Sequence, residues 1–152
     1  MIHTVEFKGS EEYMSMRNVV FAFIAPLIVF VGASNASDQL CSSTESVFQQ
    51  ELKNMWDCAH NSWEKYSDSS ASASEVSSTV AYECSIPIRK LAGAQYNSVV
   101  CELSKKTGKS FAEVADGLPA KETEISKSEK EIKGIVAEKA IAETVKYRAA
   151  KK

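Results

Sequence analysis

The four cysteines restrict the fold of this chain more than any other feature of its sequence. Cys41 and Cys58 are 17 positions apart, and Cys84 and Cys101 are separated by the same interval. The arrangement is therefore symmetric about residue 71. Because residues at equal distances from the fold point of an antiparallel hairpin lie side by side, this symmetry predicts a chain that folds back on itself near residue 71.

Local composition predicts a turn at the same place. Residues 67–74 read SDSSASAS, a run of small and polar residues that is typical of a break between elements. Apolar residues recur at helical intervals on both sides of this run, which predicts two amphipathic helices. They are Phe48, Leu52, Met55, Trp56, Ala59, Trp63 and Tyr66 before the run, and Val76, Val80, Cys84, Ile88 and Leu91 after it.

Capping-box patterns, in which a Ser is followed three residues later by a Glu, mark the predicted helix starts. The three patterns are Ser42–Glu45, Ser72–Glu75 and Ser110–Glu113. The third predicts a short helix that Gly117 and Pro119 end, and Pro87 is expected to kink or interrupt the second helix. With 6 Gly and 3 Pro, the chain has too few turn residues for a β-sandwich. We predict an all-α fold: a disulfide-linked antiparallel helical hairpin, a short helix and a charged C-terminal helix.

The two tryptophans are assigned to the core of the hairpin. Trp56 and Trp63 are seven residues apart and so share one helical face, which we expect to pack against Val76, Val80 and Tyr82 from the other arm. An aromatic surface that binds a ligand or partner is the alternative interpretation of the same pair.

The nested pairing, Cys58–Cys84 with Cys41–Cys101, fits the hairpin best. A Cys41–Cys58 bond would bridge most of a helix, roughly 20–25 Å, whereas a disulfide needs Cα atoms within about 7 Å. The crossed alternative, Cys41–Cys84 with Cys58–Cys101, requires a register that disagrees with the serine-rich turn. One difficulty is that seventeen residues of straight helix rotate by about −100°, so Cys41 has to precede the helix.

Residues 1–36 are interpreted as a signal peptide. Val19–Val31 is an uninterrupted apolar run, shorter than the roughly 20 residues that span a bilayer as a helix. Small residues follow it and suit cleavage after Ala36 or Ala33, although an uncleaved signal anchor is the alternative. Export to the cell exterior or the periplasm would place the cysteines in an oxidising compartment, where they form disulfides.

The residues after position 36 form two segments that differ in net charge. Residues 37–118 carry seven Lys or Arg against eleven Asp or Glu and are predicted to be the disulfide-linked domain. Residues 119–152 carry nine Lys or Arg against six Glu and are interpreted as a charged tail, helical or partly disordered. A partner-binding or coiled-coil helix and weak membrane contact are the alternatives. The apolar stripe that would bind a partner consists of Ile125, Ile132, Val136 and Tyr147.

Few residues suggest a catalytic site or a metal site. Once residues 1–36 are removed, every Ser-His-Asp, Cys-His or multi-histidine metal site would have to use His60. This histidine lies two residues from Cys58, and we interpret it as structural. A net charge of −2 and a pI near 5.8 argue against nucleic-acid binding. We expect no enzyme activity, no metal ion and no cofactor.

Binding is the function that this elimination predicts. The chain would be a small exported helical protein that serves as an inhibitor, an accessory subunit or an interaction module for an unknown protein partner. A membrane-active toxin or defence protein that uses the basic C-terminal helix is the first alternative. A small hydrolase that uses His60 or a pair of carboxylates is the second.

The true translation start is predicted at Met14 or Met16. Residues 1–13 contain three Glu and one Lys, where the start of a signal peptide is normally basic. Mass spectrometry of the natural precursor should therefore find no peptide from residues 1–13. Detection of such a peptide would refute the later start.

Overall fold

The computed structural model describes residues 41–151, which form five α-helices and no strand. The helices are α1 (Thr44–Ser67), α2 (Ala73–Glu83), α3 (Ser85–Thr107), α4 (Phe111–Asp116) and α5 (Lys121–Ala150). α2 followed by α3 forms the descending arm, which runs antiparallel to α1. α5 runs parallel to α1 and packs against α2 and α3. The predicted all-α fold is confirmed. The proposed signal peptide, residues 1–36, lies outside the described residues.

The turn between α1 and α2 lies where the composition predicts it. α1 ends at Ser67, and α2 begins after the N-cap residue Ser72. The Glu75 amide donates to the Ser72 hydroxyl over 3.2 Å, and the Ser72 amide donates to the Glu75 carboxylate over 2.7 Å. This reciprocal pair is the predicted capping box, and it starts α2 by satisfying two amides that have no acceptor within the helix.

The capping box predicted for Ser42 and Glu45 is wrong. α1 has Ser43 as its N-cap residue, and no side chain caps it. The backbone of Ser43 is already helical, with φ −99° and ψ −9°, whereas a capping serine needs an extended backbone such as that of Ser72. The Thr44 hydroxyl instead donates to the Cys41 carbonyl over 2.7 Å, so a helical turn precedes α1.

The descending arm breaks at Cys84, one turn before Pro87. A proline has no amide hydrogen, and its ring clashes with the carbonyl of the residue four positions earlier, here Glu83. α2 ends at that residue, and Pro87 becomes the third residue of α3, where an amide has no acceptor within the helix. The predicted interruption is confirmed.

The loops that flank α4 also follow the sequence. Gly108 ends α3 with φ 68°, a left-handed conformation that glycine adopts without strain. Ser110 and Glu113 form the predicted capping box at the start of α4, and Gly117 follows the helix. These short loops bring the start of α5 close to α3 and α4.

α5 is the third long helix of the core and not a separate tail. Its buried side chains join one cluster with α1, α2 and α3, so the division expected at residue 118 does not separate two bodies. Each fully buried Val or Ile stabilises the fold by about 1.5–3 kcal/mol. The fully buried large side chains of the molecule include Met55, Val76, Val80, Ile88, Val100 and Val136.

Both predicted disulfides are confirmed. The Cα atoms of Cys58 and Cys84 are 5.8 Å apart, and those of Cys41 and Cys101 are 5.5 Å apart. Cys41 precedes α1 and Cys84 lies at the break in the descending arm, so neither pair depends on a straight, continuous helix. Two disulfides are compatible with an oxidising extracellular environment. Within residues 41–151, no helix is long and apolar enough to cross a membrane.

Removing either disulfide should lower the free energy of unfolding. The bonds close loops of 26 and 60 residues, and loop-closure entropy predicts losses of about 3.5 and about 4 kcal/mol for the Cys58→Ala/Cys84→Ala and Cys41→Ala/Cys101→Ala variants. Urea denaturation of the two variants measures these losses. As a control, reductant should destabilise each variant further, because each keeps one bond. A variant as stable as the wild type would contradict the prediction.

Candidate functional site

The stripe predicted to bind a partner lies inside the protein. Ile125, Ile132 and Val136 are 6%, 6% and 1% exposed, because α5 turns this face towards α2 and α3. Tyr147 is half-buried, and its ring meets that of Trp63 edge-on with centroids 5.6 Å apart. The spacing correctly predicted one apolar face, but that face packs against the rest of the chain and is not available to a partner.

Hydrogen bonds connect the end of α5 to the turn between α1 and α2. The guanidinium of Arg148 donates hydrogen bonds to three carbonyl oxygens of the turn, those of Ser67 (3.2 Å), Ser69 (2.9 Å) and Ala71 (2.6 Å). Asp68 accepts from the Tyr147 hydroxyl over 3.0 Å and from Lys151. The Lys151 and Tyr147 hydrogen bonds lower the pKa of Asp68. Two basic groups at the end of α5, those of Arg148 and Lys151, therefore bind the turn.

Glu83 accepts hydrogen bonds from a cluster of polar side chains beside the disulfide at Cys84. Its carboxylate accepts from the Tyr66 hydroxyl over 2.6 Å, the Ser62 hydroxyl over 2.7 Å and the Lys65 ammonium over 3.2 Å. These hydrogen bonds, with that of Tyr66 the strongest influence, lower the pKa of Glu83 to about 2. A carboxyl group held so firmly in its ionised form is a poor proton donor or acceptor near neutral pH. The cluster ties α1 to the end of α2.

His60 contacts two residues of its own helix. Its Nε2 atom lies 3.3 Å from a carboxylate oxygen of Glu64, one turn further along α1, and its ring stacks against Trp63 with centroids 6.3 Å apart. Within residues 41–151, no group of three or more His, Cys, Asp or Glu side chains is placed to hold a metal ion.

The two most exposed large apolar side chains of the described residues flank the junction of α2 and α3. Tyr82 is 80% exposed and Ile86 is 70% exposed, and they lie four residues apart on either side of Cys84. Arg89 and Lys90 follow one turn later on the same outer side. We call these four residues, Tyr82, Ile86, Arg89 and Lys90, the junction patch.

A groove of about 420 Å³ adjoins the junction patch. It is lined by Ser85, Ile86, Arg89, Lys90 and Glu129. Arg89 forms ion pairs with Glu122 at 2.7 Å and with Glu129 at 3.2 Å, so its guanidinium is held between α3 and α5. Lys90 is exposed, and it makes no ion pair with the other residues that the structure describes. The groove thus combines the apolar side chain of Ile86 with the ammonium group of Lys90.

The placement of Tyr82 corrects the sequence analysis, which assigned it to the core. Val76, Val80 and Cys84 follow one another at intervals of four residues and are buried. Tyr82 lies two residues from Val80 and from Cys84, a rotation of about 200° that places it on the opposite face of the helix. Ile86 lies two residues from Cys84 and is exposed for the same reason. The spacing that identified the core therefore also contained the signal for the patch.

Comparisons of this chain with protein-family models, curated proteins and solved structures found no significant match.

Glu83 should contribute to stability above its unfolded pKa and lose that contribution in acid. Its folded pKa of about 2 lies below its ordinary value of 4.5, so the unfolded chain takes up the proton first as the pH falls. The stabilisation is complete above about pH 4.5 and disappears as the pH approaches 2.

Thermal unfolding of wild type and Glu83→Gln between pH 6 and pH 2 tests this expectation. The variant should be less stable at pH 6, and the difference should shrink towards pH 2. Glu131→Gln, which changes an exposed carboxylate of α5, is the matched control and should follow the wild type throughout. A difference between Glu83→Gln and wild type that stays constant with pH would contradict the assigned pKa.

Proposed function

We propose that the chain is a small protein, secreted or periplasmic, that acts without catalysis by binding a protein partner through the junction patch. The observation that carries this proposal is the exposure of Tyr82 and Ile86, which are four positions apart and are the two most exposed large apolar side chains of residues 41–151. Single exposed apolar residues are common on protein surfaces, but adjacent ones that border a groove are typical of interaction sites.

The residue types of the patch support this use. Tyrosine and arginine are enriched among the residues that contribute most to protein–protein binding, because they combine apolar contact area with hydrogen-bonding groups. Arg89 is held in place by Glu122 and Glu129, so binding would cost it little conformational entropy. The disulfide at Cys84 and the ion pairs of Arg89 with α5 hold the backbone beneath the patch.

The partner is expected to present an apolar side chain next to an acidic group. The apolar side chain would cover Ile86 and Tyr82, and the acidic group would pair with Lys90, which has no ion pair in the described chain. Because Lys90 is at the edge of the patch, its charge should affect the association rate and the salt dependence more than the final affinity.

Site-specific photo-cross-linking tests the proposal on the full chain in its natural exported fraction. Benzoylphenylalanine at position 82 should yield one discrete cross-linked protein, and the same group at Gln50, an exposed position of α1, should not yield it. Adding Ile86→Asp should abolish the product and leave the melting temperature within a few degrees of wild type, since Ile86 is exposed.

A second variant tests whether the partner presents an acidic group. Lys90→Glu should weaken the cross-link at low salt and reduce its salt dependence, because it removes the attraction for an acidic group. Equal cross-linking from positions 82 and 50, or a product that survives Ile86→Asp, would contradict binding through the patch. An effect of Ile86→Asp without an effect of Lys90→Glu would contradict the acidic partner alone.

A further inference from the structure

The outer side of α5 carries a second exposed apolar surface, separate from the junction patch. Ile135, Ile141 and Val145 are 38%, 37% and 58% exposed, and they are three of the six exposed large apolar side chains within residues 41–151. At 100° per residue, they fall with four exposed neighbours within an arc of about 120°. We call this surface the α5 face; it consists of Gly134, Ile135, Glu138, Ile141, Ala142, Val145 and Ala149.

The outer side of α5 is charged in its first half and apolar in its second half. The exposed residues of the first half on this side include Lys127, Lys130 and Glu131. In the second half the exposed residues are mostly apolar, although Val136 and Ala140 already bury the opposite side of the helix against the bundle. A surface helix needs one apolar face to pack against its own core, so a second one indicates a second packing surface.

Gly134 supports a contact from outside the chain. A Cβ atom at this position would meet no other atom within 4 Å, and the residue does not have a left-handed backbone. Nothing in the described chain therefore requires a glycine here, although glycine destabilises the interior of a helix. A glycine on the α5 face does allow the backbone of another helix to approach closely.

Glu138 lies at the centre of the α5 face and determines which partner fits. It forms no ion pair with another described residue, and neither does Lys146, which is exposed two turns later at the edge of the face. A second copy of α5 in parallel orientation would place two Glu138 carboxylates side by side, where they repel each other. An antiparallel copy centred on Ala142 instead brings Glu138 level with Lys146 of the second copy, and two-fold symmetry repeats the pair.

The same antiparallel arrangement matches the sizes of the side chains. It places Ile135 opposite Ala149 of the second copy, and Ala142 opposite its own symmetry mate. Gly134 comes level with Ala150 of the second copy. Each large side chain thus has room, and the two helices can approach closely along the whole face.

We propose that two copies of this chain associate through the α5 face, as an antiparallel helix pair about a two-fold axis at Ala142. The apolar side chains of the face are buried between the copies, and Glu138 of each copy pairs with Lys146 of the other. The contact covers only the second half of one helix, so the dimer should dissociate on dilution. The proposal does not depend on binding at the junction patch.

Carbodiimide coupling of the full chain at about 1 mM tests the arrangement. The reagent joins a carboxylate to an ammonium group that contacts it, so it should yield a covalent dimer with a peptide that links Glu138 to Lys146. In a mixture of ¹⁴N- and ¹⁵N-labelled chains, this peptide should contain both labels, which identifies the link as intermolecular. Absence of a mixed-label Glu138–Lys146 peptide would overturn the proposal.

Charge reversal tests the register of the two helices. Glu138→Lys and Lys146→Glu should each weaken dimerisation roughly 10-fold in sedimentation equilibrium, because each places like charges together at two symmetric contacts. The double variant should regain the wild-type dissociation constant, since opposite charges face each other again. A double variant that dimerises no better than either single variant would overturn the antiparallel register.

Two exposed valines provide a matched pair of variants for the apolar contact. Val145→Asp should abolish dimerisation, whereas Val47→Asp, near the start of α1, should dimerise as the wild type does. Because both valines are exposed, both variants should keep a melting temperature within a few degrees of wild type. Equal dimerisation of the two variants would overturn the assignment of the interface to the α5 face.

Discussion

The disulfide between Cys58 and Cys84 is the contact on which the rest of the arrangement depends. It joins the middle of α1 to the residue at which α2 gives way to α3, so the descending arm can break there and remain packed against α1. The Glu83 cluster reinforces the same crossing with three side chains of α1. The outer side of this fixed crossing carries Tyr82 and Ile86, so the bond that closes the core also supports the exposed pair.

Much of the fold could be predicted because it depends on short local sequence patterns and on the symmetric spacing of the cysteines. The cysteine spacing, the serine-rich turn at 67–74 and the two correct capping boxes each depend on a few neighbouring residues. The box at Ser42 failed because the backbone ahead of α1 is helical, a conformation that the residue types there do not reveal. Periodicity found the apolar face of α5 but could not tell that α2 and α3 would cover it.

The parts that could not be predicted bring together distant segments. The Trp63 ring nitrogen donates to the Thr144 hydroxyl over 3.1 Å, across 81 positions of sequence. The contact of the Lys121 ammonium with the Tyr96 ring, 5.6 Å from its centroid, likewise depends on how the loop before Lys121 returns to α3, and no spacing in the sequence gives that angle. Such contacts follow from the packing of whole helices, in which small differences in crossing angle decide which groups meet.

The hydrogen bonds of Arg148 have a consequence for the order of folding. Three carbonyls of the turn between α1 and α2 obtain their donor from a residue 77 to 81 positions later, so these hydrogen bonds form only once the end of α5 has reached the turn. Contacts of such long sequence separation form slowly, because the entropy of loop closure must be lost before they stabilise anything. The turn that the chain makes first is therefore the part of the fold whose polar groups are satisfied last.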